Sequence, residues 1–166
     1  MAGYLIDGIA RGVGLEDLWA WYTDFRSDDV EIVNREAPRV AGVFENRKVT
    51  RSGNKVWVQH IVHYGGRRFP ASLEITLHPE RYEYEVSIDV RTGGGRPMVK
   101  EKRRYAFSAI PGGTRISAEC QFEEIRGAAR LMEALHLFTR MARKGSQEVM
   151  DAFMLGAEAE LREKPP

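Results

Sequence analysis

The sequence predicts an α+β fold in which an antiparallel sheet packs against one long C-terminal helix. Apolar and polar residues alternate from about Val43 to Phe122, and glycine- or proline-containing turn signals interrupt the alternation, a pattern that predicts six strands in a meander. Beyond Gly127 the apolar residues recur with a helical period of 3.6. A chain of 166 residues, 43% hydrophobic and 30% charged, can bury one sizeable core. We therefore predict one domain over residues 1–166, with residues 163–166 as a loose C-terminal end.

Two elements are predicted before the meander. The apolar stretch from Tyr4 to Ala10 predicts a first strand, which gives seven strands in all. A short amphipathic helix is predicted next, because it opens after Gly14 and its apolar residues follow helical spacing. These residues are Leu15, Leu18, Trp19 and Tyr22.

The C-terminal segment predicts one helix of about 35 residues, roughly 50 Å long at 1.5 Å per residue. Its predicted apolar stripe consists of Leu131, Leu135, Phe138, Ala142, Val149 and Phe153. A helix with one apolar stripe needs a partner surface to cover that stripe. The sheet is the expected partner.

The turns of the meander predict which side chains share one face of the sheet. If Gly65–Gly66 is a two-residue hairpin loop, Tyr64 pairs with Arg67 and His60 lies beside Ala71. Residues paired across antiparallel strands project from the same face. The same parity sends inward Val58, Phe69, Leu73, Tyr82, Tyr84, Val86 and Tyr105.

This parity also directs two charged residues, Glu101 and Arg103, toward the covered face. An isolated buried charge costs several kcal/mol, so inward charges must be paired or hydrated. A two-residue turn near Gly53 would send Glu45 and Arg47 inward as well, whereas a three-residue turn would reverse that strand. Both alternatives remain open. A fully dry core is not expected, and we predict a pocket between the sheet and the long helix.

The predicted pocket has aromatic walls and a few polar groups, which suits an apolar ligand that carries some polar atoms. The predicted ligand-binding residues are Val58, His60, Phe69, Leu73, Tyr82, Tyr84, Val86, Glu101, Arg103, Tyr105, Leu135 and Phe138. The candidates for catalysis are Arg103, Tyr105, His60 and Glu101. Two interpretations of Glu101 and Arg103 stand side by side: a salt bridge at the cavity rim, or recognition of a ligand carboxylate or enolate. His60 is interpreted first as a hydrogen-bonded core histidine and second as a proton carrier.

The order of elements resembles the START/Bet v 1-like superfamily, also called SRPBCC or helix-grip proteins. The segment from Gly14 to Asp24 is similar to the family's helix with a tryptophan and a following aspartate, and the segment from Tyr105 to Arg115 is similar to its Gly-Gly-Thr-Arg hairpin. The resemblance implies two short helices after strand 1 and a curved sheet wrapped around the C-terminal helix, with an elongated cavity between them. The superfamily includes lipid carriers, hormone receptors, polyketide cyclases and chaperone-associated domains. It has no universal catalytic motif, so no residue role is carried over.

Composition excludes several classes of function. The net charge of +1 gives no electrostatic reason for binding nucleic acid. No stretch of about eighteen apolar residues predicts a membrane span, and no export signal is visible. Cys120, the single cysteine, excludes an internal disulfide and is typical of a reducing compartment, so we expect a cytoplasmic protein. His60 and His63 fall on opposite strand faces, and Gly93–Gly95 leads into no helix, so we predict no metal and no cofactor.

Three functions follow as hypotheses. The first is binding or transport of a hydrophobic or aromatic small molecule, such as a lipid or polyketide-like compound, in the internal cavity. The second is a cofactor-free enzyme of the polyketide cyclase or dehydratase type that acts by acid/base catalysis in the same cavity. The third is a protein-interaction domain, with the outward Trp57, Gln59 and Ile61 as a patch or homodimer seam. The expected oligomeric state is a monomer or a homodimer.

Overall fold

The protein is an antiparallel sheet with helices packed on one face. The computed structural model describes residues 2–37, 44–64, 67–134 and 136–162. Its strands are β1 (Gly3–Arg11), β2 (Phe44–Ser52), β3 (Lys55–Tyr64), β4 (Arg67–His78), β5 (Glu83–Arg91), β6 (Pro97–Ile110) and β7 (Gly113–Ile125). Its helices are α1 (Leu15–Tyr22), α2 (Asp29–Glu36), α3 (Ala128–Glu133) and α4 (Leu137–Arg162). The predicted loose end at 163–166 lies outside the described residues.

The seven strands form one curved sheet in the order β1-β7-β6-β5-β4-β3-β2. The meander runs antiparallel from β2 to β7, and β1 closes the sheet beside β7. This arrangement, with two short helices after β1 and α4 across the concave face, is the helix-grip fold that the sequence predicted. Among the described residues, no helix combines the length and the apolar character that crossing a membrane requires.

The pairing of β3 with β4 is the one that the turn predicted, and the predicted inward facing of alternate residues in β5 and β6 is also confirmed. Tyr64 pairs with Arg67, and His60 pairs with Ala71. Gly65 and Gly66, on which this prediction rested, lie outside the described residues. Across β5 and β6, Tyr84 pairs with Tyr105. Alternate side chains of these strands, most of them apolar, therefore point toward α4. The side chains between them point outward.

Strand β2 contains a β-bulge that settles the two alternatives for its charged residues. Ser52 pairs with Lys55, so the turn has two residues, but the register shifts between Glu45 and Lys48. Asn46 in the bulge has a φ of 52°. An extra residue in a bulge reverses the facing of what lies beyond it. Arg47 therefore faces inward, while Glu45 faces outward; Val43 lies outside the described residues.

The predicted long C-terminal helix is present as α4, but its predicted extent of about 35 residues is wrong, because the segment forms two helices. α3 ends at Glu133 and α4 begins at Leu137, and His136 between them has a φ of 56°. A left-handed residue cannot continue a right-handed helix, so the apolar phase restarts at α4. Leu131, predicted in the apolar stripe, is 75% exposed, while Phe138 is buried as predicted.

Two glycines allow α4 to lie close to its neighbours. A Cβ at Gly8 of β1 would meet Met154 Cγ at 2.8 Å, and one at Gly156 would meet Ile32 Cγ2 of α2 at 2.6 Å. Contacts this short do not occur between real side chains, so both positions require the absence of a Cβ. α4 is thereby held against β1 on one side and α2 on the other.

Candidate ligand-binding cavity

A cavity of about 550 Å³ lies between the concave face of the sheet, α2 and α4. Because the inward side chains of β3 to β6 alternate with outward ones, the sheet wall is mainly aliphatic and aromatic. The apolar residues on this wall include Val58, Val62, Ala71, Leu73, Ile75, Val86, Ile88 and Val90. α4 supplies the opposite wall with Phe138, Met141, Ala142, Val149, Met150 and Phe153.

Most of the residues predicted as ligand-binding line this cavity. They are Val58, His60, Leu73, Tyr84, Val86, Glu101, Arg103, Tyr105 and Phe138. Whether they bind a ligand stays a prediction. Leu135 lies outside the described residues.

Two other predicted residues, Tyr82 and Phe69, are not among the described residues that line the cavity. Tyr82 ends the short 3-10 turn Pro79–Arg81 with a φ of 51°, and its ring meets the edge of the Trp19 ring at a centroid distance of 5.8 Å. Phe69 packs, half-buried, against the core. The alternation of side chains thus predicts which residues face the covered side of the sheet, but not which of them line the cavity. Tyr82 packs against Trp19 of α1 and is not among the described lining residues.

Glu101 and Arg103 form an ion pair inside the cavity wall. Arg103 Nε donates to Glu101 Oε1 at 2.8 Å, and Arg103 Nη2 donates to Glu101 Oε2 at 3.0 Å. Such two-point pairing fixes both side chains in one orientation. Burial lowers the pKa of Arg103, but the charge of Glu101, the phenols of Tyr105 and Tyr4 and the hydrogen bonds to Glu101 together outweigh burial and hold the pKa well above its usual range. The guanidinium is therefore charged at physiological pH, and Glu101 compensates its charge.

Three hydroxyl groups complete the surroundings of this pair. Tyr4 Oη donates to Glu101 Oε1 at 2.7 Å, and Arg103 Nη2 donates to Tyr4 Oη at 3.1 Å and to Ser146 Oγ of α4 at 3.2 Å. Arg103 Nη1 donates weakly to Tyr105 Oη at 3.4 Å. The network joins β1, β6 and α4, so it ties the helix to the sheet besides solvating two charges.

A row of tyrosines continues from this network along the cavity. The rings of Tyr84 and Tyr105 stack at a centroid distance of 4.4 Å and an interplanar angle of 10°. Tyr22 of α1 lies against Tyr84 at 6.2 Å. Burial raises the pKa of Tyr22 and Tyr84 well above the usual value, and it also raises the pKa of Tyr105. All three phenols are therefore neutral at physiological pH.

A second buried ion pair lies in another part of the cavity wall. Arg47 Nη2 lies 3.4 Å from Asp29 Oδ2 at the start of α2, and Arg47 Nε donates to the backbone oxygen of Arg26 at 3.0 Å. The side chains of Arg47 and Asp29 are 12% and 11% exposed. Burial raises the pKa of Asp29 and lowers the pKa of Arg47, against the opposing effect of each partner's charge.

His60 lies near Arg47 on the cavity wall, and one of its two ring nitrogens lacks the hydrogen bond that the first interpretation predicted. Its side chain is buried, with the residue 8% exposed, and Nδ1 has no hydrogen-bond partner among the described residues. Phe44 covers the imidazole at a ring-centroid distance of 4.9 Å. Burial, helped by the charge of Arg47, lowers the pKa of His60 to about 4. The imidazole is therefore neutral at pH 7 and has an unused hydrogen-bonding atom.

Sequence reasoning missed five polar residues of the cavity wall and its network: Tyr4, Tyr22, Asp29, His63 and Ser146. Asp29 and Tyr22 lie on helices, whose docking angle no hairpin turn fixes. Tyr4 of β1 pairs with Cys120 of β7. These are the first and last strands of the chain, so no hairpin turn joins them and none predicts their register. Cys120 is buried on the covered face, so its partner Tyr4 faces the same side.

The chain matches no protein-family model and no curated protein, but it resembles solved structures. TTHA0849 from Thermus thermophilus matches with a TM-score of 0.73 at 10% identity, over 95% of this chain and 98% of that one. Ara h 8.0201 matches with a TM-score of 0.65 at 15% identity, over 96% and 99%. The Zhui aromatase/cyclase from Streptomyces sp. R1128 matches with a TM-score of 0.65 at 14% identity, over 98% of each chain.

These matches cover nearly the full length of both partners in each comparison. They confirm the predicted helix-grip fold, which an aromatase/cyclase shares. Identities this low show the fold and not the activity, because unrelated functions share this architecture.

Proposed function

We propose that this protein binds a hydrophobic or aromatic small molecule, of lipid or polyketide-like character, in the cavity between the sheet and α4. The observation that carries the proposal is the cavity itself, about 550 Å³ in volume and lined mainly by apolar and aromatic side chains. Ligand sites in proteins commonly measure about 300–1,000 Å³ and combine apolar walls with a few polar groups. The two ion pairs and His60 supply those polar groups here.

Native mass spectrometry of the protein purified from its own host tests the proposal. We expect a second species heavier by a few hundred daltons, whose extra mass is lost on denaturation because the ligand is held without a covalent bond. A protein that carries no small molecule, and that also fails to bind apolar fluorescent probes, would contradict the proposal.

A matched pair of variants on β4 assigns the bound molecule to this cavity. Ala71 is buried on the cavity wall, whereas its neighbour Ser72 is exposed on the outward face. Ala71→Phe places a ring in the cavity and should abolish binding, while Ser72→Phe adds the same ring outside and should leave binding intact. Thermal unfolding of both variants checks that each is folded. Equal binding by the two variants would place the ligand elsewhere.

A second candidate function is catalysis of the cyclase or dehydratase type without a cofactor. It is favoured by the neutral imidazole of His60, whose Nδ1 has no partner among the described residues, and by the guanidinium of Arg103 and phenol of Tyr105 on the wall of the same cavity. An imidazole can move protons, and fixed donors can steady a developing enolate. Incubation of the co-purified molecule with fresh protein distinguishes the two candidates. An unchanged ligand mass supports a carrier, and a loss of water that depends on His60 supports an enzyme.

A further inference from the structure

The charged side chains that line the cavity are paired with side chains of opposite charge. Among the described lining residues, the cations Arg47 and Arg103 are each paired with an anion, Asp29 and Glu101 respectively. His63, the remaining titratable imidazole on the wall besides His60, faces Glu45 with Nε2 3.1 Å from Oε1. The described cavity wall therefore presents no uncompensated charge to a ligand.

A charged ligand would have to break one of these pairs or remain unpaired. Either course leaves a buried charge without its partner, which costs several kcal/mol. Arg103 in particular cannot turn toward a ligand carboxylate without losing two contacts to Glu101 and those to Tyr4 and Ser146. This geometry favours the salt-bridge interpretation of Glu101 and Arg103, within the wall rather than at its rim, over recognition of a ligand anion.

Two ring nitrogens of the wall, His60 Nδ1 and His63 Nε2, are buried without a hydrogen bond among the described residues. His63 Nε2 has a carboxylate 3.1 Å away on Glu45, which leaves His60 as the imidazole with no anion beside it in the described part of the wall. A buried polar atom left unpaired costs free energy that a ligand hydrogen bond would recover. A neutral imidazole has one donor and one acceptor nitrogen. A hydroxyl group both donates and accepts, so it can pair with whichever ring nitrogen faces it.

The position of His60 on the wall also indicates how a ligand would lie in the cavity. His60 lies on β3, whereas Glu101 and Arg103 lie on β6, three strands away in the sheet order. At about 4.8 Å per strand this separates the two polar groups by about 14 Å along the sheet. The wall between them is apolar, with Leu73 and Ile88 at its centre. A ligand that reaches His60 can thus lie with an apolar body along β4 and β5.

We propose that the ligand of this cavity is an uncharged, largely apolar molecule with a hydroxyl group that hydrogen-bonds to His60. This inference rests on the proposed function and narrows its ligand class. It assigns recognition to His60 instead of Arg103, whose role becomes that of holding α4 to the sheet.

Three probes that share one ring system test the inference: phenanthrene, 9-phenanthrol and phenanthrene-9-carboxylate. Their dissociation constants are measured by fluorescence titration at pH 7 against the wild type, His60→Leu and His60→Gln. We expect the wild type to bind 9-phenanthrol about ten-fold more tightly than phenanthrene, as one recovered hydrogen bond implies. His60→Leu should bring that ratio close to one, and His60→Gln, which keeps a donor and an acceptor, should retain most of it. The carboxylate should bind at least about ten-fold more weakly than 9-phenanthrol.

The possible failures are distinguishable. Tightest binding of the carboxylate, or an alcohol preference that His60→Leu leaves unchanged, would overturn this inference while leaving cavity binding intact. No measurable binding of any of the three probes would overturn the proposed function together with the inference. Thermal unfolding of each variant confirms that it is folded before titration.

Discussion

Arg103 and Glu101 lie two positions apart on β6 and meet through two parallel contacts, Nε to Oε1 at 2.8 Å and Nη2 to Oε2 at 3.0 Å. The Glu101 side chain is 7% exposed and that of Arg103 is 19% exposed. In a strand, residues two apart share a face, so this pairing needs no unusual backbone. The pair lets the concave face of the sheet carry two charges and remain close to neutral.

Removal of one member of this pair should be far more costly than removal of both. Glu101→Gln leaves the Arg103 charge poorly compensated and should lower the free energy of unfolding by about 3 kcal/mol, whereas Glu101→Leu with Arg103→Met should stay within about 1 kcal/mol of the wild type. Urea denaturation measures both. Glu123→Gln, which breaks the exposed pair with Lys102 on the outward face, is the control and should change stability little. Similar effects for Glu101→Gln and Glu123→Gln would show that the cavity pair is screened like a surface pair.

The neutral imidazole of His60 should make the protein less stable in acid. Its pKa is lowered to about 4 in the folded protein, against about 6.5 in the unfolded chain. Between these values the unfolded chain binds a proton that the folded protein excludes, so the free energy of unfolding falls as the pH falls. Over the whole window the loss is of the order of 3 kcal/mol.

Urea denaturation of the wild type and His60→Leu at pH 7 and pH 4 isolates this contribution. The variant should lose less stability than the wild type over the same interval, because it has no group at position 60 to titrate. Parallel losses in the two proteins would mean that the His60 pKa is not lowered.

Two glycines of α4 should respond to the same substitution with opposite signs. A Cβ at Gly156 would lie 2.6 Å from Ile32 Cγ2 and force α2 away from α4, whereas a Cβ at Gly145 would meet nothing within 4 Å. Gly156→Ala should therefore destabilise the protein by about 1–3 kcal/mol. Gly145→Ala should stabilise it by up to about 1 kcal/mol through helix propensity. Thermal unfolding measures both, and a tolerated Gly156→Ala would show that α2 can shift at little cost.

The break between α3 and α4 should be stabilised by glycine. His136 has a φ of 56°, a conformation that costs most residues about 1 kcal/mol and glycine little. His136→Gly should therefore raise the free energy of unfolding by about 0.5–1 kcal/mol. Arg140→Gly, within α4, should lower it by about 1 kcal/mol. Urea denaturation compares the two, and destabilisation by both glycines would indicate that the segment is one continuous helix in solution.

The sheet could be predicted in detail because its turns are short. The glycine pair in the sequence between Tyr64 and Arg67 predicted the register that β3 and β4 have, and alternation then carries the inward set through Tyr84 to Arg103 and Tyr105. Where a turn did not fix the geometry, the prediction was incomplete. The bulge at Asn46 decided the facing of Glu45, and no feature of the sequence pattern places it there.

The helices limited the prediction of the site more than the strands did. The helical period of the apolar residues predicted that Leu131 lies on the same apolar stripe as Phe138, but the left-handed His136 interrupts the helix between them. Asp29 could not be placed beside Arg47, because their contact depends on how α2 docks against β2. Inward parity found the cavity residues of β3 to β6, but the partners that neutralise or orient them come largely from elements that packing alone positions.

The bulge in β2 also separates two opposite charges that a regular strand would hold on one side. Glu45 and Arg47 are two positions apart, so plain alternation would bring both to the concave surface; the left-handed Asn46 sends Glu45 outward to Arg68 and turns Phe44 over His60 instead. A relative with a β-branched residue at this position would favour the regular strand. It would gain an interior carboxylate and lose an aromatic cover without any change at a lining residue, so ligand preference in such proteins can diverge through backbone conformation alone.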